Sequence, residues 1–136
     1  MRNFNNRKIF LLILIIIFSM IFAGCSSFSG FKIKSYGNST SNSMKYTYGY
    51  LNGEYKVSFY IKKDVTIEVD YDIEVEKGNL VLKLIDSDGN EIWTVKANED
   101  KKGKKQFKFD ESGRYKIIVD GNKTKGSFNV KYNEVK

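Results

Sequence analysis

The sequence contains no histidine and a single cysteine, Cys25. Without histidine there is no Ser-His-Asp or Cys-His nucleophile system and no His-ligated zinc site. One thiol permits no disulfide within the chain, so the domain must be stable through its core. Helical periodicity is missing too. After Cys25 no stretch spaces its apolar residues at 3.6, which leaves the strand as the repeating element. Acidic residues are outnumbered, with Asp plus Glu at 16 and Lys plus Arg at 23, for a net charge of +7 over 136 residues, enough for one domain.

The first 24 residues separate on composition. Arg2, Arg7 and Lys8 open the chain, Ile9 to Phe22 is apolar apart from Ser19, and Ala23 and Gly24 are small. A basic opening, an apolar run shorter than the ~20 residues of a spanning helix and a small-residue end predict a helical secretory signal peptide over 1–24, with an uncleaved signal anchor as the other reading. Phe22-Ala23-Gly24-Cys25 resembles the lipobox of bacterial lipoproteins, with Phe22 departing from the usual leucine. The resemblance implies a diacylglyceryl thioether on Cys25, a mature chain beginning there and a place on the extracytoplasmic face of the cell membrane. Two acyl chains anchor stably where one does not. A lipidated Cys25 is also unavailable for thiol catalysis. Removing the leader leaves 112 residues and takes away three positive charges, so the net charge falls from +7 to +4. Such a domain meets anionic lipid and wall polymer, and no nucleic-acid partner is expected.

Residues 25–43 are rich in Ser, Gly and Asn, interrupted by Phe28, Phe31, Ile33 and Tyr36. Their composition predicts a flexible tether reaching roughly 25 Å, with a short strand or loose packing at the interruptions.

Over 44–136 period-2 alternation takes over. Tyr46, Tyr48 and Tyr50 alternate, then Tyr55 to Ile61, Val65 to Val75, Leu80 to Leu84, Ile92 to Ala97, Phe107 and Phe109, Tyr115 to Val119, and Phe128 to Tyr132. Turns are expected at Leu51-Asn52-Gly53, Lys77-Gly78, Asp86 to Asn90, Ser112-Gly113 and Gly121-Asn122, with a polar loop from Asn98 to Lys104. The pattern predicts an all-β fold, an antiparallel β-sandwich or jelly roll of about 7–8 strands. Leu82 to Gly89, Trp93, Phe107 to Phe109, Gly113 to Val119 and Lys125 to Val130 together resemble the GOLD-type sandwiches of small secreted β-domains. That resemblance implies binding and adaptor roles.

Opposite the Val65–Val75 face lie Asp64, Glu68, Asp70, Asp72, Glu74 and Glu76, spaced about 7 Å apart along the strand. Lysine-bearing neighbours, with Lys56, Lys62, Lys83, Lys108, Lys116 and Lys131 as candidates, would offset their repulsion through cross-strand pairs. A cation site is the sharper alternative, although a straight strand converges few oxygens. Asp86-Ser87-Asp88-Gly89-Asn90 places neither Gly nor Glu where an EF-hand needs them and reads as a hairpin turn. No metal and no cofactor is expected.

Carboxylates are plentiful, but a small sandwich offers little depth for a catalytic cleft, so the chain is read as no enzyme. The candidate binding residues are aromatic: Tyr48, Tyr50, Tyr60 and Trp93. Tyr60 lies opposite the Val57-Phe59-Ile61 face, whereas Trp93 shares its face with Val95 and Ala97 and so suits the core. The resulting expectation is a lipid-anchored, non-catalytic binding or interaction module of the cell envelope, with an envelope protein or polymer as partner. A structural lipoprotein without a specific ligand, or an accessory subunit of a secreted enzyme or transporter, is the alternative.

Overall fold

The computed structural model describes Asn6, Lys8 to Leu11, Ile13 and residues 26–135. The described leader residues are helical, and Cys25 with its lipobox lies outside the described set. Among the described residues no helix is long and apolar enough to cross a membrane.

Seven antiparallel strands follow: β1 (Ser26–Ile33), β2 (Tyr36–Ser39), β3 (Ser43–Ile61), β4 (Thr66–Ile85), β5 (Glu91–Ala97), β6 (Lys101–Lys108) and β7 (Gly113–Val135). Three of them, β3, β4 and β7, are long and change register near their middles. Their halves therefore belong to two layers. One layer runs β2, the first half of β3, the second half of β7, the first half of β4 and β6. The other runs β1, the second half of β3, the first half of β7, the second half of β4 and β5. Ring contacts across the gap confirm that the layers face each other, with Phe59 stacked on Tyr132 at 4.5 Å and Tyr46 on Tyr55 at 4.1 Å. The fold is an all-β sandwich, as the alternation predicts.

The apolar members of each alternation fill the space between the layers. Val57, Ile73, Leu80, Leu82, Ile117, Val119 and Phe128 are all buried. Their partners across the strands are also inward residues, for example Leu82 opposite Val119 and Ile73 opposite Phe128, so register and pattern agree.

Several expected turns are corners within continuous strands. Leu51-Asn52-Gly53 lies inside β3, Lys77-Gly78 inside β4 and Gly121-Asn122 inside β7. Each carries the chain from one layer to the other, as bulges do in sandwiches whose strands switch sheets. Gly78 has a positive φ of 73°, and a Cβ there would stand 2.3 Å from the carbonyl oxygen of Lys123, so the corner requires glycine. The loop expected over Asn98 to Lys104 also differs, since its second half begins β6. As an edge strand β6 turns only Phe107 and Gly103 toward the interior, and its lysines face solvent, which guards the edge against pairing with other chains.

The segment expected as a tether is mostly sheet. Ser26 to Ile33 pairs with β3 as the edge of one layer and Tyr36 to Ser39 pairs with β3 as the edge of the other. Composition misleads here because a few contacts suffice. Phe28 packs on Tyr55 at 4.7 Å, and the Lys32 ammonium sits 4.2 Å above the Phe28 ring and 5.1 Å from Tyr55.

Candidate functional site

The four aromatic candidates do not form one surface. Tyr48 is a core residue at 2% exposure, tilted against Phe128 with centroids 6.1 Å apart. Its position alternates inward with Met44, so the tyrosine stripe is partly core and offers no platform. Burial pushes its phenol up to about 12. Thr124 faces the Tyr48 hydroxyl and acts in the lowering direction, yet neither hydroxyl makes a hydrogen bond of normal geometry. Trp93 is half-buried between Tyr71 at 5.7 Å and Phe107 at 5.3 Å, closing the β5–β6 side of the sandwich. Tyr50 is half-buried beside the exposed Phe31, 6.0 Å away. Only Tyr60, at 62% exposure, stands free, on the outer face of the layer that contains β1.

A different surface gathers polar groups. On the outer face of the β2–β6 layer, directly opposed residues form rows across the strands. One row runs Tyr36, Thr47, Ser127, Glu74, and the next runs Asn38, Lys45, Asn129, Asp72, Lys102. A depression of about 210 Å³ opens here, lined by Lys45, Thr47, Asp72, Glu74, Ser127 and Asn129 among others. The Ser127 hydroxyl donates to Glu74 Oε2 at 3.3 Å. Asn129 Oδ1 is enclosed and meets no hydrogen-bond partner. The groups open to solvent in the depression are the exposed side chains of Lys45, Thr47, Asp72 and Glu74. Tyr36, 74% exposed, stands at the end of the first row and offers an open ring face.

Farther along the same face lysines offset the acidic strand, but of the expected partners only Lys108 and Lys131 lie opposite it, whereas Lys56, Lys83 and Lys116 belong to the other layer and Lys62 follows β3. Asp70 lies between Lys131 and Lys104, and Thr66 lies opposite Lys108. The Lys104 ammonium is 3.8 Å from Asp70 and 3.9 Å from Glu68, and Gln106 donates to Glu68 at 3.1 Å. Glu76 pairs with Lys125 at 3.1 Å. Among the described residues no group of three or more Asp, Glu, His or Cys is placed to hold a metal ion.

Larger hollows carry less chemistry. A groove of about 510 Å³ between β5 and β6 has Phe107, Phe109 and Ile92 on its floor and Asp86, Asp110 and Glu111 on its rim. Asp86 is committed to its turn, accepting from the backbone N–H groups of Asp88 at 2.9 Å and Asn90 at 2.8 Å. This confirms the hairpin expected at Asp88-Gly89.

The polar rows contain acceptors, the two ammonium groups of Lys45 and Lys102 and one open aromatic ring, a set suited to holding hydroxyl groups. Sequence alternation places Asp72, Glu74, Ser127 and Asn129 on outward positions. It does not show that they converge, because that depends on the register of β3, β7 and β4. Tyr36 was missed because it sits in the segment expected as a tether.

No family model matches the sequence, and no curated protein matches it. Solved structures with the same fold do exist. TmCBM61 in complex with β-1,4-galactotriose is 20% identical, with a TM-score of 0.50 and coverage of 81% of this chain and 88% of that one. The CBM22-1 xylan-binding domain from Paenibacillus barcinonensis Xyn10C is 13% identical, with a TM-score of 0.42 and coverage of 82% and 86%. A structure of carbohydrate-binding modules from the β-sandwich superfamily with promiscuous specificity is 10% identical, with a TM-score of 0.43 and coverage of 84% and 58%. At 20% identity the likeness to TmCBM61 is one of fold alone.

Proposed function

We propose that this protein is a lipoprotein held on the extracytoplasmic face of the membrane through Cys25, and that its sandwich is a non-catalytic module binding a hydroxyl-rich polymer of the envelope, a carbohydrate. The observation that carries the binding reading is that the exposed Asp72, Glu74 and Lys45 meet Ser127 in one depression, with the exposed Tyr36 opposite Thr47 at its border. Sugar hydroxyls supply donors to such acceptors, and a pyranose face stacks on an aromatic ring. The fold shared with TmCBM61, a structure holding β-1,4-galactotriose, is consistent with that ligand class. Asp72 and Glu74 lie two residues apart on one strand, side by side on the floor. Carboxylates that cleave a glycosidic bond flank it from two sides, so this arrangement favours binding over hydrolysis. The anchor rests on the lipobox-like Phe22 to Cys25 and on the apolar run before it.

Calorimetric titration with β-1,4-galactotriose, xylan fragments and purified wall polymer tests the binding reading. Tyr36→Ala and Asp72→Ala are each expected to weaken a bound glycan about tenfold, ~1.4 kcal/mol, with little change in stability for Tyr36→Ala. Absence of binding across the panel, or an affinity indifferent to both substitutions, removes this face as the site.

A further inference from the structure

The two outer faces of the sandwich differ in how their charges are arranged. On the β2–β6 layer carboxylates and lysines interleave and pair. On the opposite layer, three rows nearest the start of β1 read Ser27, Lys56, Ile118, Lys83, Thr94, then Ser58, Lys116, Ile85, Glu91, then Tyr60 and Arg114. These rows hold the cations Lys56, Lys83, Lys116 and Arg114 against the single carboxylate of Glu91. Lys56 pairs with Glu54 of the next row at 3.2 Å, and Lys83 lies within electrostatic reach of Asp120 in that row. Among the described residues neither Lys116 nor Arg114 is in an ion pair. Both are exposed, Ile118 is half-buried between Lys56 and Lys83, Ile85 is half-buried between Lys116 and Glu91, and Tyr60 presents its ring to solvent.

The position of this face relative to the chain is equally specific. Ser26, the residue after Cys25, is already paired with Val57, and Ser27 lies in the same outward row as Lys56. A lipid on Cys25 is therefore attached one residue before the first paired residue, at the edge of the basic face. Tyr60 lies three residues along β3 from Val57, about 10 Å away. Tyrosine favours the membrane–water interface, where its ring meets the acyl boundary and its hydroxyl meets water. Lys and Arg attract an anionic leaflet, an effect that falls off within a Debye length of about 8 Å. A cationic sheet whose edge strand begins one residue after the lipidated cysteine is held beside the leaflet, where its charges can approach within that distance.

We propose that the outer face formed by Tyr60, Arg114, Lys116, Lys56, Lys83 and Ile118 docks against anionic phospholipid, so that the lipidated domain lies on the bilayer with this layer down and the Tyr36–Asn129 face turned away. The proposal rests on the lipoprotein reading. It adds an orientation that the anchor alone does not impose. Face against face, the sandwich then presents its polar rows outward.

The test uses the lipidated protein purified from membranes and returned to vesicles. With Cys25 consumed as a thioether, Tyr60→Cys supplies the only reactive thiol, and Thr47→Cys supplies the control on the opposite face. Each is labelled with an environment-sensitive fluorophore, in vesicles of phosphatidylcholine alone or with phosphatidylglycerol, with nitroxide-bearing lipid as quencher. The expected result is a blue shift and strong quenching at position 60 in phosphatidylglycerol vesicles, reversed by added salt, and no change at position 47. The double substitution R114E/K116E should abolish the shift while the protein still floats with the vesicles. A label at position 60 that stays solvent-exposed on anionic vesicles overturns the proposal. A shift that is equal on neutral vesicles and grows with protein concentration also overturns it, in favour of a face between two copies. Failure of the lipoprotein reading looks different: the wild-type protein then carries no lipid, whether or not an uncleaved leader keeps it on the vesicles.

Discussion

Gly30 faces Gly53 across the β1–β3 pair, and neither position has room for a side chain. A Cβ on Gly53 would lie 2.4 Å from the Ser29 carbonyl oxygen and 2.8 Å from the Gly30 Cα, both backbone atoms that cannot swing aside. This close approach seats the edge strand at the corner where β3 changes layer. Gly53→Ala is therefore expected to cost about 1–3 kcal/mol, the usual range for overpacking, and to free β1 first. Urea unfolding measures the cost, and hydrogen exchange across 26–33 shows where it falls. A variant as stable as the wild type, with β1 amides still protected, contradicts the close approach.

Lys32 makes a second prediction at the same edge. Its ammonium lies 4.2 Å from the Phe28 ring centroid, 5.1 Å from Tyr55 and 5.9 Å from Tyr46. Lys32→Met keeps an apolar stem of similar length and removes the charge. The expected loss is about 0.5–1 kcal/mol, the usual value of an exposed cation–π contact. A double-mutant cycle with Phe28→Leu isolates it. A coupling of zero means that the lysine covers the rings by packing alone.

These two edge contacts also mark where the sequence was legible. Alternation in Val65 to Val75 and in Leu80 to Leu84 is a local property, and it placed the core residues Ile67, Val69, Ile73, Leu80, Leu82 and Leu84. Whether Lys77-Gly78 reverses the chain or bends it depends on β7 following β4 through the corner, which no local pattern encodes. For the same reason Ser26 to Ser39 read as coil, since its strands form only because β3 offers Tyr55, Gly53 and Tyr46 as partners. Exposure at Tyr60 followed from strand parity alone. Tyr48 has the same parity signal as Met44, but the apolar partner that buries it, Phe128, lies on a strand eighty residues away. The candidate site was hidden for the second reason: Asp72, Asn129 and Lys45 meet only through register.

Alkaline pH should unfold the domain in a defined window. Burial raises the phenols of Tyr48 and Tyr132 from 10.0 to about 12. Tyr132 also donates its hydroxyl to the Ser41 carbonyl, a bond that needs the neutral form. Both groups hold their protons more tightly folded than unfolded. Their contribution is thus fully present below pH 10 and is lost as pH rises toward 12. Tyrosinate absorbance and circular dichroism recorded together are expected to show the last phenols ionising as the sheet signal collapses. Phe in place of Tyr48 should shift the collapse to higher pH. Ionisation of all nine tyrosines well before any loss of structure would count against this account.

Cys25→Ser separates the two ways the leader can hold the domain. The apolar run from Ile9 to Phe22, at 1.5 Å per residue, spans about 21 Å as a helix, short of a hydrocarbon core of ~30 Å. If lipid on Cys25 is the anchor, the substitution removes metabolic labelling with fatty acid and sends the domain out of the membrane fraction or to the wrong place. The sandwich itself should survive, because among the described residues pairing begins at Ser26 and none before Met44 belongs to the core apart from the packed ring of Phe28. Circular dichroism of the released protein checks that point, so loss from the membrane cannot be put down to misfolding. Full retention without the cysteine would show instead that the uncleaved leader does the holding. The basic face could then still meet the bilayer, but the short link through Cys25 would be replaced by the leader itself.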